Sequence, residues 1–351
     1  EELRHHQRWD AEVFTWRRRS PERFPFEPVH LGGLRWLLTG TSPAFDRRMA
    51  GDRFALVHAH FGTAGMYAMA FALRHDLPLV ITFHGVDVPR LRNWERFMPQ
   101  HWPYAVLGPR MLQRMTLGLC ASNELRELLW DMGVPEDRLV THRLGIDLSA
   151  FRKGARDPER VRVIMIGRFV EKKGFEHGIR AFARVVATGA SAHLTIVGDG
   201  PRRARLSALV SSLGIEDRVT FTGIVPSEEV SRHLASSDVL MAPSVVAADG
   251  NRESGVIVVK EASASEVVPI GTWHGGIPEI IDDGETGFLV PERNVDALTE
   301  RLGRLVADPS LRQTLGRAAR AKMEREYDNR VRVAELERHY DEACRRHRRR
   351  S

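Results

Sequence analysis

Cysteine is scarce in this sequence. Cys120 and Cys344 are the two cysteines among 351 residues. They lie far apart and form no Cys-x-x-Cys motif or Cys/His cluster, so the pattern predicts neither a disulfide framework nor a zinc site. This usage is typical of a cytoplasmic protein with reduced thiols.

Long apolar runs are also missing. The longest spans residues 61–73 and includes two glycines, whereas a bilayer span needs about 20 apolar residues. We therefore expect this run to be a buried helix. The polar start, residues 1–6, shows no secretory signal. These absences favour a cytoplasmic protein, attached at most peripherally to the inner face of a membrane.

Positive charge is concentrated at one end. The formal net charge is +6, and five arginines lie within residues 345–350, which leaves +1 for the rest of the chain. Such a tail is usually a solvated, frayed end. It predicts weak attraction to anionic lipid, about 1 kcal/mol per basic residue near the surface. No nucleic-acid-binding motif accompanies the charge, so we expect no nucleic-acid partner.

From residue 52 onward, β-rich runs alternate with helical stretches, which predicts parallel sheets covered by helices. The length favours two domains, and the polar stretch 152–160 indicates a linker. We place the segments at 1–153, 154–328 and 329–351. The predicted strands are 54–59, 79–83, 117–121, 139–142, 161–166, 193–197, 219–222, 239–242 and 267–270. The predicted helices include 65–74, 124–132, 175–188, 202–213, 227–236 and 255–264.

Two strand-to-helix loops of the second half carry glycines. The loop Gly167–Gly174 combines glycine with Arg168 and Lys173, which can neutralise a pyrophosphate; a solvated surface turn is the alternative. The loop Val197–Pro201 contains Asp199 and Gly200 at a strand's carboxyl end, beside the usual ligand crevice. For that second loop we favour a tight turn with a purely structural role over direct ligand binding.

A pair of glutamates is the strongest signal. Glu253 and Glu261 stand eight positions apart around an apolar helical turn. If Gly255 opens that helix, its free backbone N–H groups can hold a phosphate. Glu253 can then accept hydrogen bonds from sugar hydroxyls, and Glu261 can reach a ribose diol. A further turn, residues 272–279, brings glycines and a proline beside the same crevice.

Histidines end two predicted strands of the first half, in the runs His58–Gly62 and Thr82–Val88. Each is followed closely by glycine, which favours a lined cleft over isolated half-buried histidines. The acceptor-side candidates are His60, Gly62 and Asp87. No third partner at metal-ligand spacing accompanies the histidines, so we expect no metal.

Taken together, these motifs resemble glycosyltransferase family 4, retaining enzymes with the GT-B fold. The similarity runs from His58 to Tyr340 and is greatest from Val161 to Val290; the histidine runs are similar to those of exopolysaccharide-building members. The resemblance implies two Rossmann-like α/β domains with parallel sheets facing a central cleft. The first domain is then the acceptor side and the second binds the nucleotide-sugar donor. With the amphipathic pattern of 331–340, it also implies a C-terminal helix that crosses back to the first domain.

The resemblance implies roles for individual residues. Arg168 and Lys173 would bind the donor diphosphate, Glu253 the transferred sugar, and His84 would line the reaction centre. No metal or other cofactor is implied. The remaining donor-side residues would contact sugar, phosphate, ribose or base: Gly167, Asp199, Gly200, Thr222, Gly223, Ile224, Ser254, Gly255, Val256, Ile257 and Glu261.

Two departures from the family pattern stand out. Glu266 replaces a helix-ending glycine and Val268 a proline, which predicts local strain or rearrangement. The family's first strand and glycine-rich loop are not recognisable, so either the sequence is a fragment or the segment has diverged. Transfer of a hexose-type sugar to a carbohydrate or lipid-linked acceptor is the leading hypothesis. A nucleotide-sugar-binding partner without catalysis is the alternative; a Rossmann dehydrogenase is disfavoured because no G-x-G-x-x-G opens either domain.

Overall fold

The computed structural model describes residues 5–13, 54–85, 87–88, 91, 98, 101–157, 159–253 and 256–349. The chain divides into two units, Glu1–His142 with Val333–Ser351, and Arg143–Arg332. The predicted linker, 152–160, belongs to the second unit. There Gly154 donates a backbone hydrogen bond to the carbonyl of Ala235 at 3.0 Å.

The first unit contains a parallel sheet of four strands in the order β1-β2-β3-β4. Its strand β2 reads Leu-Val-Ile-Thr-Phe and is buried at every position, as expected of a central parallel strand covered on both faces. The strands are β1 Val57–His60, β2 Leu79–Phe83, β3 Leu117–Cys120 and β4 Leu139–Thr141. The helices between them are α1 Gly62–Arg74, α2 Trp102–Arg114 and α3 Asn123–Asp131.

The second unit contains a parallel sheet of six strands in the order β10-β9-β8-β5-β6-β7. The order reverses direction between β5 and β8, and ligands of open α/β sheets bind at such a switch point. The strands are β5 Val161–Ile166, β6 Ala192–Val197, β7 Val219–Gly223, β8 Val239–Ala242, β9 Val268–Thr272 and β10 Phe288–Val290. The helices are α4 Phe175–Val186, α5 Arg203–Ser212, α6 Ser227–Ala235, α7 Ile257–Ala264, α8 Ile277–Ile280, α9 Val295–Ala307 and α10 Pro309–Glu326.

Helix ends follow ordinary capping chemistry where the sequence provides it. The side chain of Ser122 accepts a hydrogen bond from the Leu125 nitrogen and caps α3. Asp308 caps α10 through the Leu311 nitrogen, and Pro309 occupies the first helical position. Each cap satisfies a backbone N–H that has no partner inside its helix.

The last helix, α11, spans Asn329–Arg348. From Val333 onward its residues belong to the first unit, where Leu336 and Tyr340 pack against Leu117 of the sheet. The prediction of a frayed basic tail is wrong as far as residue 348. Arg345 and Arg346 continue the helix, and both form ion pairs with Glu342.

None of the helices in the described parts of the chain is long and apolar enough to cross a bilayer. The run predicted as a buried helix is α1, which packs in the first unit's core through Met66 and Met69.

Candidate active site

The carboxyl ends of the central strands of the second unit meet at one edge of its sheet. The loop that follows β5 turns through Gly174, where φ is +62°. A Cβ atom there would lie 1.8 Å from the carbonyl oxygen of Pro243, which directly follows β8. Glycine is therefore required at 174, because any side chain would separate these two strand ends.

A buried carboxylate lies against this loop. Glu253 is 8% exposed, and the Lys173 Nζ atom donates a hydrogen bond to its Oε2 atom at 3.1 Å. The Lys172 Nζ atom lies 3.2 Å from Oε1 as an ion pair, but its hydrogen bond goes to the carbonyl of Arg252. Among the described residues, no group donates a well-formed hydrogen bond to Oε1.

The two lysines keep this carboxylate ionised. Burial raises the pKa of Glu253, but the charges of Lys173 and Lys172 outweigh it and hold the pKa below its usual value. A helix N-terminus is not among the causes of this lowered pKa. Helix α7 begins at Ile257, after Glu253, with Val256 at the N-cap.

A histidine fixes the backbone of Glu253. The Glu253 backbone nitrogen donates to the Nε2 atom of His274 at 2.9 Å, and His274 is 3% exposed. Since Nε2 accepts, the ring proton is on Nδ1, which lies 2.7 Å from the Glu292 Oε1 atom. The other carboxylate oxygen of Glu292 accepts from the Val246 nitrogen at 2.9 Å.

We call Lys172, Lys173, Glu253, His274 and Glu292 the Glu253 network. Burial raises the pKa of Glu292, but hydrogen bonds from Val246 and His274 outweigh it and lower that pKa. Sequence reasoning missed three members, Lys172, His274 and Glu292. His274 lies within the predicted turn 272–279. Its position between a buried strand and two glycines is the one sequence signal that could have indicated it.

The predicted start of helix α7, which carries Glu261, is wrong. The sequence placed it at Gly255, but α7 begins at Ile257. Ser254 and Gly255 lie outside the described residues. Val256 is buried and Ile257 is 47% exposed. Glu261, one turn into α7, is half-buried.

The loop after β5 also packs against the loop after β6. The Phe169 nitrogen donates to the carbonyl of Asp199 at 2.9 Å, and a Cβ atom on Gly198 would lie 2.0 Å from the Gly167 carbonyl oxygen. This contact favours a structural role for the second glycine loop. Asp199 itself is exposed and accepts a hydrogen bond from the nitrogen of Gly200.

Strand β7 ends beside these loops, because the Gly198 nitrogen donates to the Gly223 carbonyl at 2.8 Å. Thr222 directs its hydroxyl to the same carbonyl. Ile224 follows and is 83% exposed. Arg168 is exposed as well, and its side chain forms no ion pair with any described residue.

In the first unit, His60 is the last residue of β1 and His84 directly follows the adjacent parallel strand β2. His60 Nδ1 lies 3.1 Å from His84 Nε2, because β1 and β2 pair in register and end at one edge. Burial, with the neighbouring His60, lowers the pKa of His84 to about 4. His58 bridges Tyr340 and Thr82, each at 2.7 Å. Burial lowers its pKa well below the usual value.

Asp87 and Gly62 hold this edge together. The Asp87 carboxylate is 1% exposed and accepts hydrogen bonds from the nitrogens of Gly62 and Gly85 at 2.8 and 3.0 Å. Asp87 thus fastens the loops after β1 and β2. Phe61, between β1 and α1, has φ +74°, a strained conformation for an aromatic residue. Its ring contacts that of His84.

The strain predicted at the departure from the family pattern is confirmed. Glu266 has φ +56°, the left-handed conformation that a glycine would adopt there. Its carboxylate pairs with Lys153 at 3.0 Å. Val268 begins β9 and donates its N–H to the Asp238 carbonyl at 3.0 Å. A proline could not make that hydrogen bond.

Two family models match the sequence. The model described as "Glycosyl transferases group 1" matches residues 148–322, and that described as "Glycosyltransferase Family 4" matches residues 3–150. A GDP-mannose-dependent α-(1-6)-phosphatidylinositol monomannoside mannosyltransferase of Mycobacterium tuberculosis is 35% identical over 302 residues, covering 71% of this chain and 77% of that protein.

A putative colanic acid biosynthesis glycosyltransferase, WcaL of Salmonella typhimurium, is 31% identical over 250 residues, covering 70% of this chain. The match spans 59% of that relative's length. Among solved structures, Anabaena HepE in complex with UDP and glucose superimposes with a TM-score of 0.72 at 18% identity, covering 89% of this chain and 84% of that one. The two parallel-sheet units are those of the GT-B fold, and the chain belongs to glycosyltransferase family 4, a family of transferase enzymes.

Proposed function

We propose that the chain transfers a hexose-type sugar, with retention of configuration, from a nucleoside-diphosphate sugar to a carbohydrate or lipid-linked acceptor. The observation that carries this proposal is the Oε1 atom of Glu253, a buried, ionised acceptor whose partner among the described residues is the Lys172 ammonium at 3.2 Å, without a well-formed hydrogen bond. A carboxylate oxygen can accept two hydrogen bonds, so Oε1 can accept another beside Lys172. A sugar hydroxyl would supply that second hydrogen bond.

The neighbouring lysines suit the diphosphate. Lys173 belongs to the loop after β5, where its side chain passes over Gly167 and donates to Glu253. The exposed Arg168 on the same loop adds a second cation. Cations at this position stabilise the negative charge that develops on a leaving diphosphate. Ile224, exposed at the end of β7, offers an apolar surface for a nucleobase.

In the proposed reaction the bond between the sugar C1 atom and the diphosphate oxygen breaks. The acceptor hydroxyl oxygen bonds to C1 on the same face, and its proton passes to the leaving diphosphate. Arg168 and Lys173 stabilise that diphosphate, while Glu253 orients the sugar. This step needs no enzyme nucleophile and no metal, so we expect turnover to persist in excess EDTA.

A screen of UDP-, GDP- and ADP-sugars tests the proposal by thermal shift, because a ligand of the folded state raises the melting temperature. GDP-mannose and UDP-glucose are the first probes, because the mycobacterial relative is GDP-mannose-dependent and HepE has been solved in complex with UDP-glucose. Binding followed by release of free nucleoside diphosphate with an acceptor supports transfer. Binding without turnover on any acceptor would favour the alternative, a binding partner in such a pathway.

We also propose that the protein works at the cytoplasmic side of a membrane when its acceptor is lipid-linked. Exposed arginines near the end of α11 support this, although Arg345 and Arg346 already share Glu342.

A further inference from the structure

Three side chains that commonly ligate metals converge in the first unit. They are His142, Glu335 and His339, and the ligand atoms they offer all lie within 4.8 Å of one another. Within the described residues this is the one group of three such side chains that is found so close together. None of the three belongs to the Glu253 network, which lies in the second unit.

The group is built on regular secondary structure. Glu335 and His339 are four residues apart on α11, so they project from the same face of the helix. His142 directly follows β4 and is 4% exposed, and its backbone nitrogen is held by the carbonyl of Cys120 at 2.8 Å. Ligands carried by a helix and a strand end are held more firmly than ligands on loops.

We propose that His142, Glu335 and His339 bind one divalent transition-metal ion, with zinc as the best-matched ion. Two imidazoles and one carboxylate are a common three-ligand set for zinc, with a fourth position left for water. Zinc bonds of this kind put neighbouring ligand atoms about 3.3 Å apart. Small side-chain movements would close the present spacing to that distance.

The bound ion would link the carboxyl end of β4 to α11. Since Leu336 and Tyr340 already pack α11 on the first unit's sheet, the ion would add a polar attachment beside an apolar one. Its expected role is to attach α11 to the sheet, because the proposed transfer needs no metal.

A simple ion pair is the competing interpretation. His142 Nδ1 lies 3.7 Å from the Glu335 carboxylate, which is too long for a hydrogen bond but close enough for an ion pair if the histidine is protonated. The ion pair does not require His339, whose ring stands at 87° to that of His142 with centroids 5.5 Å apart. Metal binding requires all three side chains.

Zinc binding to the chelator-stripped full chain tests the proposal. We expect one zinc per chain by equilibrium dialysis, a higher melting temperature with zinc, and visible absorption bands of four-coordinate cobalt when Co²⁺ replaces it. His142→Gln, Glu335→Gln and His339→Gln should each weaken zinc binding at least about a hundredfold, because removing a ligand costs more than removing an outer-shell partner.

His347→Gln is the matched control, since His347 lies on the same helix and contacts Asp76 instead. It should bind zinc like the parent chain. Parent-like zinc binding by a folded His339→Gln variant would overturn the proposal, and so would equal losses in the His347 control. Lack of saturable zinc binding by the parent chain at micromolar concentrations would overturn it without any variant.

Discussion

The imidazole of His274 accepts a hydrogen bond from the backbone nitrogen of Glu253, with 2.9 Å between the two nitrogen atoms. The Glu292 carboxylate, 2.7 Å from Nδ1, holds the ring proton on Nδ1 and so leaves Nε2 as the acceptor. This relay resembles the way a carboxylate sets the tautomer of a catalytic histidine. We expect this histidine to position the residue proposed to hold the sugar.

Replacing His274 should therefore slow transfer more than it weakens nucleotide binding. His274→Phe keeps an aromatic ring but leaves the Glu253 N–H without its acceptor, at a cost of about 1–3 kcal/mol in the free energy of unfolding. We expect a lower kcat and little change in affinity for the nucleoside diphosphate. His274→Gln, whose amide oxygen can accept the same hydrogen bond, should recover part of the kcat. Equal kcat values for the parent and both variants would contradict the positioning role.

The sequence predicted the strands better than it predicted the site. Strands Leu79–Phe83 and Val161–Ile166 have the predicted bounds, because short runs rich in β-branched and aliphatic residues are distinctive. Helix α2, Trp102–Arg114, was not predicted; it carries a proline in its first turn and Pro109 inside. Prolines usually mark helix breaks, and here packing of Met111 and Leu112 overrides that signal.

The Glu253 network shows why a site is harder to predict than a sheet. Lys173 and Glu253 are eighty positions apart in the chain, and His274 contacts a backbone atom of Glu253. Neither relationship leaves a periodic pattern in the sequence. The resemblance to a family indicated Lys173 and Glu253, whereas Lys172, His274 and Glu292 became visible only through their contacts.

The cations of the loop after β5 should contribute separately to donor binding. Arg168→Ala and Lys173→Ala each remove a charge-assisted hydrogen bond worth about 1.5–3 kcal/mol, so each should weaken nucleoside-diphosphate binding about ten- to a hundredfold. Calorimetric titration measures this directly. Arg184→Ala is the control, because Arg184 is an exposed arginine on α4 paired with Asp296. Unchanged affinity in both test variants would remove the phosphate-site assignment.

The histidines of the first unit should make stability depend on acid pH. The pKa of His84 is lowered to about 4 by burial and by His60, against an ordinary value of about 6.5. Between these values the unfolded chain binds more protons than the folded chain. The free energy of unfolding should therefore fall as the pH drops from about 6.5 to 4, by at most about 1.4 kcal/mol per pH unit for this group.

His84→Gln measures that contribution, since glutamine retains a hydrogen-bonding group beside His60 but does not titrate. Urea denaturation of both proteins across this pH range gives the two slopes, and contributions from Asp87 and His58 largely cancel in their difference. The variant should have the flatter curve. Parallel curves would show that the lowered pKa of His84 does not affect folding.

The left-handed backbone at Glu266 predicts an unusual order of variant stabilities. Glu266→Gly and Glu266→Ala both remove the Lys153 ion pair, which at this exposure contributes little. Only glycine relieves the positive φ, worth about 1 kcal/mol. We expect the glycine variant to be the more stable of the two in chemical denaturation, although alanine is the better helix former elsewhere. The reverse order would mean that the backbone at 266 carries no strain.

The sharpest prediction concerns the charge of Glu253. Glu253→Gln keeps the shape of the side chain and leaves its backbone bond to His274 in place. It removes the negative charge that now pairs with Lys172 and Lys173. Without that competitor both lysines are freer to bind a diphosphate, so nucleoside-diphosphate affinity should stay equal or rise. Transfer should slow about a hundredfold, because the sugar loses its ionised hydrogen-bond acceptor.

The alternative is that Glu253 serves only the fold, as the counter-ion of two lysines. It does not cap α7, since that helix begins at Ile257 with Val256 at its N-cap. A purely structural Glu253 would make the glutamine variant melt earlier while each folded molecule kept its turnover. The site assignment requires the opposite combination: a melting temperature near that of the parent chain, nucleotide binding retained, and turnover lost. Measuring all three on one preparation separates the two roles, and parent-like turnover by well-folded Glu253→Gln would end the assignment.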